Sequence, residues 1–247
     1  MTYEPANDLL KGRVILVTGA GAGIGRAASI AFARYGATVV LSGRTTSKLE
    51  DVYDEIEREG GPQPGIAPLD LASASADDMM ELASVIDREY GKLDGLLHNA
   101  AMLGKIMPFE SWDMNEWMRV MHVNFTAETI LTRIMLPLLQ RADDASLVFT
   151  TSGVGTRPTA YYGAYAVSKH AVEGFAMLLA EELENTSSIR TNIVSPGVVR
   201  TRMRASAFPS EDPSTLAPPE SVTPLYLYLM GPDSRGENGK TFTPDSI

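Results

Sequence analysis

Short apolar runs alternate with longer amphipathic stretches along this chain. Residues 14–17, 38–41, 66–69, 95–98, 146–150 and 191–194 are each short, rich in Val, Ile, Leu or Thr, and bounded by Gly, Asp or Ser. That pattern predicts buried strands. Helical periodicity fills the intervals, at about 24–35, 47–59, 76–90, 116–141 and 164–185. The strands lack the in–out alternation of a half-exposed sheet, so both faces should be covered. This predicts a parallel sheet flanked by helices. The repeated strand–helix order predicts an α/β fold with a single doubly wound parallel sheet, the Rossmann architecture. No repeat and no linker divides residues 1–247, which read as one domain. Residues 206–221 break the rhythm. They carry Pro209, Pro213, Pro218 and Pro219 among Ser and Ala, and read either as an active-site lid or as a disordered surface excursion.

Composition narrows the chemistry. The 247 residues carry no cysteine and a formal net charge of −10. Disulfides, thiolate metal sites and a catalytic thiol are excluded. Nucleic acid and anionic membranes are disfavoured as partners, because phosphate binding needs a basic surface. One local cationic site would still accept an anionic cofactor. No apolar run reaches the length of a membrane span. Residues 1–11 contain Glu4 and Asp8 and no apolar core, unlike a signal peptide. The expected location is the cytoplasm. His98, His122 and His170 show no ligand spacing, so no metal site is expected. Met114, Met118 and Met121 stand four and three residues apart, which predicts a packing stripe.

The first strand runs into Thr18-Gly19-Ala20-Gly21-Ala22-Gly23-Ile24-Gly25, and a helix follows. Glycines allow a tight turn and close approach of backbone to a pyrophosphate, and the helix start supplies free N–H groups. The second strand ends in Ser42-Gly43-Arg44. No carboxylate is present there to hold a ribose 2′-OH, and Arg44 is suited to a 2′-phosphate, so NADP(H) is favoured over NAD(H). The alternative is a solvated arginine that opens the next helix.

Tyr165 and Lys169 form Tyr-x-x-x-Lys on one helical face. A cation near the phenol would favour the phenolate. The spacing alone is weak, since chance supplies it often. Ser152 ends the fifth strand, at the edge where open α/β sheets bind ligands. It reads as a substrate-orienting hydroxyl or as a local cap.

Taken together, these motifs resemble the short-chain dehydrogenase/reductase family. Besides Thr18–Gly25, Ser152 and Tyr165-x-x-x-Lys169, the matches are Asn99-Ala100, Asn124 and Pro196-Gly197, in order and at fitting spacings over nearly the whole chain. Residues 204–213 and 224–231 further resemble the bacterial YciK branch of oxidoreductases. The resemblance implies that Tyr165 is the general acid/base, that Lys169 tunes it and holds the nicotinamide ribose, and that Ser152 orients the substrate carbonyl. Asn124 would help hold a relay water. Asp70 and Leu71 would contact adenine. Asn99 and Ala100 would line the cofactor cleft, and Pro196, Gly197 and Thr201 would frame the nicotinamide. A homo-oligomer, tetramer or dimer, is implied, built on the helices at 116–141 and 164–185. Three departures stand out. Ala101 replaces the usual Gly, Ala22 replaces a second basic residue in the glycine loop, and the tail at 241–247 lacks the usual Asp-Gly-Gly.

The expected activity is metal-independent hydride transfer between NADP(H) and a small carbonyl or alcohol substrate. One alternative is a non-catalytic NADP-binding sensor or scaffold on the same fold. Another is a sugar-nucleotide epimerase or dehydratase, for which only about fifty residues remain after Pro196 as a substrate region. Arg200, Arg202 and Arg204 precede the proline-rich loop. Arg204 could select an anionic substrate, or these arginines could only be solvated or pair with Glu211 and Asp212.

Overall fold

The computed structural model describes residues 3–247. Seven parallel strands form one sheet in the order β3-β2-β1-β4-β5-β6-β7. These are β1 (Val14–Thr18), β2 (Thr38–Gly43), β3 (Gly65–Pro68), β4 (Gly95–His98), β5 (Ala145–Thr150), β6 (Ile189–Val194) and β7 (Thr241–Phe242). β1, β4, β5 and β6 are buried at every position, which explains their missing alternation.

Alternate residues of each strand feed two cores. On one side Ile15, Val17, Val39 and Leu41 pack under α1 (Gly23–Arg34) and α2 (Thr46–Arg58). On the other, Val14, Leu16, Leu96 and Phe149 meet α3 (Ala76–Tyr90) and the long helices that follow β4 and β5. α3 starts on a capping box between Ser75 and Asp78 and stops at Gly91, whose φ is 73°.

The helix expected over 116–141 is interrupted. α4 (Met114–Met121) passes through a π-helical turn at His122–Thr126 into α5 (Ala127–Leu139). A π turn widens the helix by one residue and is a common device at functional sites, and this one carries Asn124. Met114 and Met118 are exposed rather than packed, because α4 turns its methionine face outward. After β5 come the short α6 (Gly153–Thr156) and the long α7 (Gly163–Leu183).

The proline-rich excursion is ordered. It opens with α8 (Arg202–Ala207) and is clasped at its base, where Val199 bridges Ala217 and the Arg200 N–H donates to the Ala217 carbonyl at 2.8 Å. α9 (Thr223–Met230), apolar on nearly all sides, then returns the chain to the core, and β7 closes the sheet edge.

Candidate active site

β1 pairs with β2 on one side and β4 on the other. Strand order reverses there, so a crevice opens at the carboxyl ends of β1 and β4. Thr18 is the pin of this crevice. Its buried hydroxyl accepts the Asn99 and Ala100 N–H groups at 3.0 and 3.1 Å and donates to the Leu97 carbonyl. Thr18 therefore shapes the turn after β4 from beneath. The glycine loop lies against that turn. A Cβ on Gly25 would stand 2.3 Å from the Gly19 carbonyl oxygen and 2.5 Å from Asn99 Nδ2. Gly19 has φ +69°, and its own Cβ would press on the Ala100 backbone at 3.0 Å. Only hydrogen fits at either position.

The loop delivers the chain to α1, whose N-cap Ala22 gives no side-chain cap and whose first turn holds no acid. Its leading N–H groups and positive dipole end thus remain available to an anion. Ile24 is part-buried beside the core, and the methyl of Thr201 faces Gly23. The Thr201 hydroxyl caps α8 by accepting the Arg204 N–H, so only its methyl is left toward the crevice.

At the end of β2, Arg44 is exposed, and no carboxylate pairs with it among the described residues. The structure adds a second cation that motif reading missed. The Lys48 stem packs on the glycine loop, its Cβ 2.9 Å from where a Gly21 Cβ would be. Lys48 lies in the first turn of α2, where the helix dipole disfavours a cation. It too forms no ion pair among the described residues. The available sequence signal was its spacing of four from Arg44. Asp70 Oδ1 accepts the Ala72 N–H and closes its own turn, while Leu71 is buried in the core. Pro196 and Gly197 follow β6, with φ +72° at Gly197.

The polar groups of the candidate reacting centre come from three elements. Tyr165 and Lys169 stand on α7, Ser152 follows β5, and Asn124 sits in the π turn. The Asn124 Oδ1 accepts the Met102 N–H at 2.7 Å, and its Nδ2 donates to the Met102 carbonyl and to Ser168 Oγ. The Ser152 hydroxyl makes no cap for α6. It lies close enough to Tyr165 to favour the phenolate. Burial, the larger influence, pushes the Tyr165 phenol above its usual range, and Glu128 pushes in the same direction.

Lys169 shares a face with Tyr165, but its ammonium is drawn to the Thr150 carbonyl at 2.8 Å. Burial, not the lysine, dominates the phenol's ionisation. Of the two readings of Arg204, the structure shows the pairing with Glu211. Its guanidinium grips Glu211 with two hydrogen bonds, at 2.6 and 2.7 Å, and lies 3.6 Å over the Phe208 ring. Both faces of its fork are used inside the proline-rich excursion, so it is not free to select an anionic substrate. Among the described residues no group of three His, Asp or Glu could hold a metal.

A family model described as short chain dehydrogenase matches residues 13–212. The chain belongs to the short-chain dehydrogenase family. It is 49% identical over 242 residues to the oxidoreductase YciK of Escherichia coli strain K12, covering 98% of this chain and 95% of that one. A short chain dehydrogenase from Shigella flexneri 2a, solved in complex with NADP, superposes with a TM-score of 0.94 at 48% identity, covering 97% and 99% of the two chains. One from Escherichia coli CFT073, complexed with NADPH, gives a TM-score of 0.94 at 49% identity, with coverage of 98% and 100%. Both the fold and the resemblance to the YciK branch agree with these matches.

Proposed function

We propose that this short-chain dehydrogenase is an NADP(H)-dependent oxidoreductase of small carbonyl or alcohol compounds, with Tyr165 as its general acid/base. The observation that carries the reading is that Ser152 and Tyr165 meet near the carboxyl end of β5, where the Lys169 ammonium bonds Thr150, in a chain that also offers an uncapped start of α1 and two cations, Arg44 and Lys48, with no ion pair among the described residues. The cofactor fits the chain's own features: the close approach demanded at Gly19 and Gly25, the open start of α1, and the lack of an acid after β2. Relatives carrying NADP and NADPH support it.

Bound NADPH supplies the hydride. Ser152 orients the substrate oxygen by hydrogen bonding. Tyr165, kept protonated by burial, gives that oxygen its proton. Lys169 stands one turn further along α7 to hold the cofactor ribose and return a proton to the phenol. Thr18, Asn99 and Ala100 keep the cleft wall in place. The lid between Val199 and Ala217 covers the site and excludes water. Residues 1–247 act as one domain in this reading. A cysteine-free chain in which no described helix is long and apolar enough to cross a membrane suits a reducing cytoplasm. Replacement of Tyr165 by Phe, read on a panel of carbonyl compounds by NADPH absorbance, tests the assignment.

Cofactor choice gives a separate test. Arg44→Ala or Lys48→Ala should each weaken NADPH binding roughly ten- to a hundredfold, the worth of a charge-assisted phosphate contact of about 1.5–3 kcal/mol. NADH affinity should hardly change, and the double variant should prefer NADH. A wild-type enzyme that already prefers NADH would defeat the 2′-phosphate assignment.

Self-association follows from the same long helices. Met118, Val167, Met177 and Leu178 of α4 and α7 are each 45–58% exposed, an apolar face that a second copy would cover. Light scattering at micromolar concentration should show a dimer or tetramer, and a monomer there rejects this face as an interface.

A further inference from the structure

Behind Tyr165 the core holds a polar stripe that the chemistry above leaves unused. Asn124, Glu128 and Thr132 recur every four residues along the π turn and α5, and they are only 0%, 1% and 2% exposed. Asn124 is satisfied by Met102 and Ser168. Thr132 bonds His98 Nε2 at 2.8 Å and its own helix. Glu128 differs, because neither of its carboxyl oxygens has a hydrogen-bond partner among the described residues. Its neighbours in sequence, Ala127 and Leu131, are core residues. A buried carboxyl in such company demands electrostatic compensation.

The compensating charge is Lys169, which follows Ser168, the hydrogen-bond partner of Asn124 one turn before Glu128. It is equally buried, and its ammonium has three donors, of which the Thr150 carbonyl takes one. Burial drives the Lys169 pKa down and the Glu128 pKa up to about 8, so the Glu128 carboxylate forms over the alkaline range, and each group's charge opposes the other's shift. Other charges around the pair are few. From α7, Tyr165 faces Glu128, and Glu173 faces Lys169 while already accepting from Thr151 and Thr156. From β4, His98 is kept neutral by burial and by the Lys169 charge, its pKa depressed to about 3. α3 presents Met79, Leu82, Ala83, Ile86 and the phenol of Tyr90 to this core, and burial raises the Tyr90 pKa.

We propose that Glu128 is a positioning residue that holds Lys169 in its ammonium form within the core and so sets the alkaline end of the enzyme's working range. The inference rests on the reading of Lys169 as the group that holds the ribose and feeds protons to Tyr165. The sign follows from charge. An anion beside a buried lysine raises the lysine's pKa, so removing it lets burial strip the proton at lower pH.

The test is NMR titration of 13Cε-labelled lysine in the cofactor-free protein, with Lys169→Met used to assign the signal. In Glu128→Gln the Lys169 midpoint should fall by more than about one pH unit, and Glu128→Asp should recover at least half of that. The alkaline limb of the turnover profile should move to lower pH by the same amount. Glu128→Met, which fills a similar volume, is read in the same way should the glutamine variant not fold. A smaller fall, no change or a rise overturns the proposal. The midpoint is read without turnover, so it can fail independently of the Tyr165 assignment.

Discussion

Tyr165→Phe should lower turnover by roughly 10²–10⁴, the usual worth of general acid–base catalysis, while NADPH affinity stays near wild type. The substitution removes one oxygen from a ring that is 7% exposed and packs 6.4 Å from Tyr162, so it opens no cavity. The proton on that oxygen is needed only in the chemical step. Burial keeps the phenol protonated near neutrality, and the Ser152 hydroxyl only partly opposes it. With Tyr165 as the acid, carbonyl reduction should be favoured near neutrality, and alcohol oxidation should accelerate as pH rises toward the phenol's ionisation. Stopped-flow turnover and NADPH fluorescence titration on the same variant separate the two effects. Near-normal turnover would reject Tyr165 as the acid, and an equal loss of binding would make its role structural.

Most of the scaffold was legible because its signals are local. Each main strand is a short apolar run between turn formers, and α3 has the bounds that its capping box and terminal glycine impose. Elements without a local signal were missed. β7 is two residues long and exists because Ile193 and Ser195 donate to the Lys240 and Phe242 carbonyls. The π turn has no signature in periodicity, since one extra residue only shifts the apolar stripe. α8 is only six residues long and runs into the proline-rich stretch, and Thr201 caps it by accepting the Arg204 N–H.

The site divides along the same line. Gly19, Gly25, Ser152, Tyr165 and Lys169 sit in short motifs whose order can be read from one strand to the next. Pairing between distant segments cannot be read that way. Arg204 was ambiguous until Glu211 was seen in its fork. Lys48 stands in an ordinary helical pattern, and only folding lays its stem over Gly21. Glu128 looks like one more polar position on a long helix. Its importance comes from burial opposite Lys169, which a sequence with an expected break-free helix does not reveal.

The stability of the enzyme should depend on the opposite end of the sheet. Asp144 precedes β5 and faces Arg13 before β1, Arg190 in β6 and Arg235, with contacts of 3.0–3.3 Å. Asp144, Arg13 and Arg190 side chains are only 9–12% exposed. Arg190 also donates to the Leu229, Gly231 and Ser234 carbonyls, which ties α9 to the strands. Asp144→Ala would leave two buried guanidinium groups facing each other without an anion. Such a broken pair costs about 3–5 kcal/mol, or roughly 6–20 °C in Tm for a chain of this size. The three arginines outweigh burial and hold the Asp144 carboxyl below its usual range. Its contribution is therefore complete above the unfolded value of about 3.9 and is lost as pH falls through the lower folded value. Urea melts should show a wide gap between wild type and Asp144→Ala at pH 7, narrowing in strong acid. Turnover well below the melting temperature should be unchanged, because the reacting groups stand at the carboxyl ends of the strands. A gap below about 1 kcal/mol at pH 7 would mean that solvent screens these charges as it does surface pairs.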